Sequence, residues 1–290
     1  MGAQFLGAKY ASSRQESRFV LLPAPFDSTA SYGTGARFGP ARMIEASCQL
    51  ELFDEELLTE PWKGGIFTEE PLDLPVLPEK AAGVIQEAVA NVLEQGKVPI
   101  LLGGDHSVSI GAIRAVSEHL GPVDILQLDA HADLRDRYQG SRFSHACVMR
   151  RAWECGNIIQ VGLRSLSGGE WEFLKDQGRR PVFARQIREN FREALVRVLD
   201  SLTGRPLYIT IDVDCLDPSV MPATGTPEPG GLSWYELTGI LRAVVERSGL
   251  AGFDLVELAP VAGLHHAEFT AARLVYRLIG YAVSSFSRKG

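Results

Sequence analysis

Two rhythms of apolar and polar positions alternate along this chain. Short, nearly continuous apolar runs such as Val98-Pro-Ile-Leu-Leu and Leu207-Tyr-Ile-Thr-Ile read as strands buried on both faces. Between them lie longer stretches with apolar residues three or four apart, the period of a helix with one buried face. Residues 1–17 form a polar leader, expected to be flexible or to pack against a neighbouring subunit. The first strand is predicted at 18–24. A glycine-rich loop then leads into a helix over about 40–50, with Pro40 at the favoured first position. Residues 51–78 are acidic, proline-rich connection with at most a short strand at 65–67. From residue 79 the alternation becomes regular: helix 79–95, strand 98–102, helix 107–120, strand 123–129, helix 143–155, strand 157–162, helix 169–178 and short strand 181–184. It continues with helix 190–202, strand 206–212, helix 233–247, strand 251–257 and a last helix over 267–285. Such alternation predicts an α/β fold, a three-layer sandwich whose central, mostly parallel sheet is flanked by helices on both faces. At 290 residues the chain is expected to form a single domain over 1–290.

Composition narrows the function classes. A formal net charge of −7 argues against nucleic-acid and anionic-membrane surfaces, and the arginine pairs at 150–151 and 179–180 are too isolated to build a basic stripe. No apolar run reaches membrane-spanning length, and the start has neither a basic segment nor a long apolar core. Gly2 suits myristoylation, but Leu6 stands where that motif wants Ser or Thr. Four cysteines without a compact spacing indicate neither a zinc knuckle nor a disulfide framework, so a cytoplasmic location is expected. The glycines of the loop Ser31 to Pro40 are spaced G-x-G-x-x-x-G, which departs from the dinucleotide fingerprint and reads as a turn-rich loop.

The chemistry gathers at strand ends. Asp129, His131 and Asp133 stand two residues apart after an apolar strand, so extended backbone would send all three side chains to one face. Alone, this could be a polar loop capping the next helix. Two further strands, however, end in Gly103-Gly104-Asp105-His106 and in Asp212 and Asp214. In open parallel sheets the carboxyl ends are where sites form. Two histidines and four aspartates without cysteine suit a divalent ion such as Mn²⁺, with Co²⁺, Fe²⁺ or Zn²⁺ as competitors. Four crowded carboxylates repel one another, and two divalent ions would neutralise them, bridged by a carboxylate from each aspartate segment. Ions about 3.5–4 Å apart can share a water and lower its pKa towards neutrality, the signature of a hydrolase.

The segments Gly-Gly-Asp-His-Ser at 103–107, Asp-Ala-His-Ala-Asp at 129–133, Asp-Val-Asp-Cys-Leu-Asp-Pro at 212–218 and Thr-Gly-Thr-Pro-Glu-Pro-Gly-Gly-Leu at 224–232 resemble the ureohydrolase family of arginases and agmatinases. The resemblance runs from about Pro23 to the C-terminus and is closest to the agmatinases. It implies an arginase-like fold, two Mn²⁺ per chain, a homo-oligomer (trimer or hexamer), and cleavage of a guanidino group to urea and a primary amine. Carried over by position, it makes His106 and Asp133 ligands of one ion, His131 and Asp214 ligands of the other, and Asp129 and Asp212 the bridges. His145 resembles the family's proton-shuttling histidine, and Glu257 the carboxylate that pairs with the substrate guanidinium. That pairing suits the chemistry, because a delocalised cation needs an anion to hold it in register and an acid for the departing amine.

Substrate choice turns on the residues after Asp133. Arginases have an asparagine there that helps hold a substrate carboxylate, and this chain has Leu134-Arg135-Asp136-Arg137-Tyr138 instead. Asp136 and Glu228 are expected near the pocket mouth, where they would favour the terminal ammonium of agmatine. N1-aminopropylagmatine, guanidinobutyrate, guanidine, arginine and formiminoglutamate are the alternative substrates, and a non-catalytic, metal-stabilised pseudoenzyme is the alternative from another class. Cys215 reads as a buried inert thiol, Asp105 and Asp217 as capping or supporting residues, and His265 and His266 as loop or helix-start positions.

Overall fold

The computed structural model describes residues 2–289, with side chains described as far as Phe286. Eight strands form one sheet: β1 (Phe19–Ala24), β2 (Ile66–Thr68), β3 (Val98–Gly103), β4 (Val123–Leu128), β5 (Gly156–Leu163), β6 (Val182–Phe183), β7 (Leu207–Asp212) and β8 (Leu250–Val256). Their spatial order is β2-β1-β3-β8-β7-β4-β5-β6, and every pair is parallel. Among the described residues nine α-helices follow one another: α1 (Gly39–Ser47), α2 (Pro78–Leu93), α3 (Ser109–Leu120), α4 (Val148–Ala152), α5 (Gly168–Asp176), α6 (Ala184–Glu189), α7 (Phe191–Asp200), α8 (Trp234–Ser248) and α9 (His265–Lys289).

The period-two geometry of the strands divides the core. In β1, Phe19 and Leu21 pack with α1, α8 and α9, whereas Val20 and Leu22 pack with α2 and α3 on the opposite face. Both faces are therefore covered, which is why the central strands carry apolar residues almost without interruption. The predicted sandwich is the one observed, with the sheet wholly parallel. Among the described residues no helix is long and apolar enough to cross a membrane.

Three local expectations need correction. The leader is folded onto the body of its own chain: Phe5 and Leu6 are buried in the core, and their amides donate to Thr68 Oγ1 and Ser47 Oγ at 3.0 and 2.8 Å. Two isolated apolar residues give no periodic signal, so their burial was not apparent. The helix predicted over 143–155 is a 3-10 turn at His145–Cys147 followed by the short α4. The stretch after β6 holds two helices, because Asn190 leaves helical geometry (φ −154°) and caps α7 by accepting from the Glu193 amide.

The glycine-rich loop serves close backbone approach. A Cβ on Gly33 would lie 2.7 Å from the Gly225 carbonyl oxygen, and one on Gly39 would lie 2.5 Å from that of Leu258. These contacts seat the loop, including Ser31, beside the strand ends where the cavity opens.

Candidate metal centre

Four adjacent central strands deliver the site from their carboxyl ends. β3 leads to Asp105 and His106, β8 to Glu257, β7 to Asp212 and Asp214, and β4 to Asp129, His131 and Asp133. The local backbone is tight. A Cβ on Gly104 would sit 1.7 Å from the Phe26 carbonyl oxygen, so only glycine lets this turn pass. Asp133 (φ 51°) and Glu257 (φ 65°) both adopt left-handed geometry, which costs of order 1–3 kcal/mol for a residue with a side chain and is characteristic of functional sites.

Two overlapping groups can hold a metal ion: His106, Asp129 and Asp212, and Asp129, His131 and Asp214, with the ligand atoms of each group within 4.8 Å of one another. Asp129 belongs to both. Its Oδ2 is 3.1 Å from His106 Nδ1, and its Oδ1 is 3.7 Å from His131 Nδ1. Asp133 Oδ2 joins the first group at 3.0 Å from His106 Nδ1, and Asp214 Oδ2 lies 2.9 Å from His131 Nδ1. All six predicted ligand positions thus converge.

The donors fit a cation. His106 Nδ1 is buried and has no aligned hydrogen-bond partner, although three carboxylate oxygens lie within 3.5 Å of it. That is the arrangement of ligands around a common point. Charge points the same way. Burial opposes protonation of both imidazoles, yet Asp129 and Asp214 push His131 up to about 12, and Asp129, Asp133 and Asp212 push His106 well above its ordinary value. Burial, followed by Asp214 and Asp129, also drives the Asp212 carboxyl well above the usual range. Divalent ions would remove the repulsion that these shifts express.

The surrounding cavity has a volume of about 330 Å³ and is lined by Asp133, Asp212, Glu257, His145, Arg135 and Tyr138 among others. Glu257 is held by its neighbour strand: its amide donates to the Gly104 carbonyl and its Oε1 accepts from the His106 amide, each at 2.7 Å. Desolvation and then Asp105 push its carboxyl well above the glutamate range. His145 is positioned by Thr29, whose hydroxyl donates to Asp105 Oδ2 (2.9 Å) and therefore meets His145 Nδ1 (3.3 Å) as an acceptor. Tyr138 packs edge-on against the His145 ring at 5.6 Å.

Asp136 does not join this cavity. It is exposed, and Arg151 and Arg142 both pair with its carboxylate, so its charge is already neutralised on a neighbouring surface. The adjacent arginines predicted nothing of this, because Arg142 and Arg151 lie on a later loop and helix. Glu228 lies nearer, with Oε1 4.0 Å from Nε2 of His131, which lines the cavity. Cys215 is fully buried, and burial with Asp214 and Asp212 pushes its thiol well above its ordinary value, as an inert thiol requires. Asp105 caps by accepting from Ser107 N, and Asp217 accepts from the amides of Ser219, Gly230 and Gly231. His265 and His266 begin α9, with His265 exposed beside Glu268.

Supporting residues that the motifs did not reveal are polar side chains within or just after apolar strands. Gln127 donates to Asp129 Oδ2 at 2.7 Å and accepts from Gln160 at 2.6 Å. Arg164 donates to the carbonyls of Asp214 and Glu228, each at 2.7 Å, tying the two loops together. The visible signal of Gln127 and Gln160 was a glutamine in the middle of each of two buried strands, β4 and β5, whereas Arg164, just past the end of β5, carried none.

The profile of the arginase family matches residues 17–280. This chain belongs to the arginase family. It is a hydrolase acting on guanidino groups, as the family is. It is 37% identical to N(1)-aminopropylagmatine ureohydrolase of Synechocystis over 99% of this chain and 96% of that protein. Identity to the agmatinase of Pyrococcus horikoshii is 38%, covering 92% of each chain. The crystal structure of agmatine ureohydrolase of Thermoplasma volcanium superposes with a TM-score of 0.89 at 27% identity, covering 100% of this chain and 97% of that one. The arginase-family fold expected from the sequence is therefore shown.

Proposed function

We propose that this arginase-family hydrolase cleaves a carboxylate-free guanidino polyamine, agmatine or the longer N1-aminopropylagmatine, to urea and the corresponding primary amine. The observation that carries the reading is the placement of Glu257 on one cavity wall beside two ligand groups that share Asp129. In this assignment His106 and Asp133 would hold one ion and His131 and Asp214 the second, with Asp129 and Asp212 available to both. Imidazole and carboxylate donors suit Mn²⁺, with Co²⁺, Fe²⁺ and Zn²⁺ as competitors. When bound, the ion pair supplies an activated water as the nucleophile.

The chain's own residues do the rest. Glu257 is costly to ionise alone, and a guanidinium beside it supplies the missing countercharge and fixes the planar group against the ligand cluster. Water adds to the central carbon, the carbon–nitrogen bond to the alkyl chain breaks, and the departing amine takes a proton. His145, with Nδ1 occupied by Thr29, has Nε2 available to move that proton.

Asp136 no longer supports the choice of agmatine, since it is paired elsewhere. Two features support a carboxylate-free substrate. The cavity is lined by several carboxylates, and Arg135 is the only arginine or lysine on its wall among the described residues. Relatives named for each polyamine match at similar identity, 37% for the Synechocystis N(1)-aminopropylagmatine ureohydrolase and 38% for the Pyrococcus agmatinase, which supports the class and leaves both polyamines in it. Agmatine, N1-aminopropylagmatine, arginine and guanidinobutyrate should be compared at equal concentration by urea release. Burying an unpaired carboxylate costs several kcal/mol, so about a hundredfold preference in kcat/KM for the two polyamines is expected. Preference for arginine or guanidinobutyrate would overturn the substrate class and assign Arg135 the role of carboxylate partner.

A further inference from the structure

Behind the site, on the side away from the cavity, three hydroxyls converge on a buried carboxylate that the proposed reaction does not use. Tyr208 OH donates to Asp254 Oδ2 at 2.8 Å, Thr210 Oγ1 donates to Asp254 Oδ1 at 2.6 Å, and Ser109 also hydrogen-bonds to this side chain. Asp254 and Thr210 are fully buried in adjacent strands, β8 and β7, where polar residues are costly unless they are satisfied. The one further contact of Thr210 that bears on the site is with His106, whose Nε2 lies 2.9 Å from its oxygen.

A threonine hydroxyl has one hydrogen. The Asp254 carboxylate at 2.6 Å takes that hydrogen in preference to Ser109 Oγ at 3.4 Å, and in either case the same oxygen can only accept from His106, which places the ring hydrogen on Nε2. A neutral imidazole then carries its lone pair on Nδ1. Nδ1 is the buried atom without an aligned partner, facing Asp133 Oδ2 at 3.0 Å, Asp129 Oδ2 at 3.1 Å and Asp212 Oδ2 at 3.5 Å. The opposite tautomer would put a hydrogen where an ion belongs.

We infer that Asp254 and Thr210 are positioning residues that select the metal-binding tautomer of His106. The inference rests on the reading of His106 as a metal ligand and deepens it. The geometry follows the general rule that a ligating histidine donates its other ring hydrogen to an orienting group, whose loss typically weakens metal binding by 10–100-fold. Here the carboxylate acts through an interposed hydroxyl. That hydroxyl keeps a fifth carboxylate away from the ligand cluster while transmitting its orienting effect.

The test is Mn²⁺ titration of the full-length, metal-stripped chain by calorimetry, comparing wild type with Thr210→Val and Thr210→Ser. Valine keeps the shape and the β-branch but removes the acceptor, and serine restores it. One binding step should weaken about 10–100-fold in Thr210→Val while the other changes by less than about threefold, and Thr210→Ser should bind within about threefold of wild type. Thr210→Ala repeats the measurement should valine impair folding, which melting of the metal-free proteins reports. Wild-type binding of Mn²⁺ with unchanged affinity in Thr210→Val and Thr210→Ala would overturn the tautomer inference alone. Failure of wild type to bind Mn²⁺ at all would overturn the underlying metal reading as well.

Discussion

Asp129 presents one carboxylate oxygen to each site histidine, Oδ2 to His106 at 3.1 Å and Oδ1 to His131 at 3.7 Å. A single side chain thus connects the two ligand groups, and both of its oxygens are already fixed, by Gln127 Nε2 on one side and the His131 amide on the other. Replacing one oxygen by an amide nitrogen removes a ligand atom and a charge. Asp129→Asn is therefore expected to bind about one Mn²⁺ per chain or fewer and to lose activity by several orders of magnitude. Metal analysis alongside turnover checks this, and two tightly bound ions with near-normal turnover would remove Asp129 from the bridging position.

Glu257 and His145 lie on the same cavity but meet different partners, so their variants should differ in kinetic pattern. Glu257→Gln loses the countercharge of the guanidinium, and both KM and kcat should worsen. His145→Ala removes a proton carrier, so the loss should appear mainly in kcat, by about 10²–10⁴-fold. Steady-state kinetics separates the two, and identical patterns would contradict the division of roles.

The C-terminal helix is fastened by Arg277, which is buried and pairs with Glu55 at 2.7 Å and Glu56 at 2.6 Å. Its Nε also lies 3.0 Å from Asp54 Oδ2, a charge contact without hydrogen-bond alignment. Asp54 keeps two backbone amides as donors, so Arg277→Met is expected to cost about 3 kcal/mol, the low end for breaking a buried pair. The pH dependence has a definite sign. The Arg277 hydrogen bond lowers Glu55, and for Glu56 the bonds from Arg242, Tyr281 and Arg277 outweigh burial, so both carboxyls are held below the usual glutamate range. Groups lowered in the folded state stabilise it above their unfolded pKa, and that contribution fades as pH falls through the folded value. Denaturant unfolding of wild type and Arg277→Met should therefore show a gap that is full near neutrality and shrinks in acid below about pH 4.5. A gap that widened on acidification would exclude this clamp.

The fold was legible because both strand rhythm and helix rhythm were strong, and the candidate ligands because His106, Asp129, His131, Asp133, Asp212 and Asp214 stand at or just after strand ends. What escaped the pattern was whatever depends on partners distant in sequence. Asp136 looked like a free anion because nothing near it shows that Arg151, one helix away, pairs with it. The burial of Phe5 depends on Thr68, and the conformation of Gly104 depends on Phe26. Thr210 and Asp254 were visible only as polar residues within otherwise apolar strands, and their role emerges when β7 and β8 lie side by side.

The account stands most directly on urea release from agmatine and N1-aminopropylagmatine by the full-length chain, measured after chelation and again as Mn²⁺ is added back. Metal-stripped protein should be inactive and should melt at a lower temperature, since Asp129, Asp133, Asp212 and Asp214 then face one another without cations. Activity and melting temperature should both recover, with activity saturating at about two Mn²⁺ per chain. Full urea release from metal-free protein, or no release from either polyamine at two ions per chain, would contradict it.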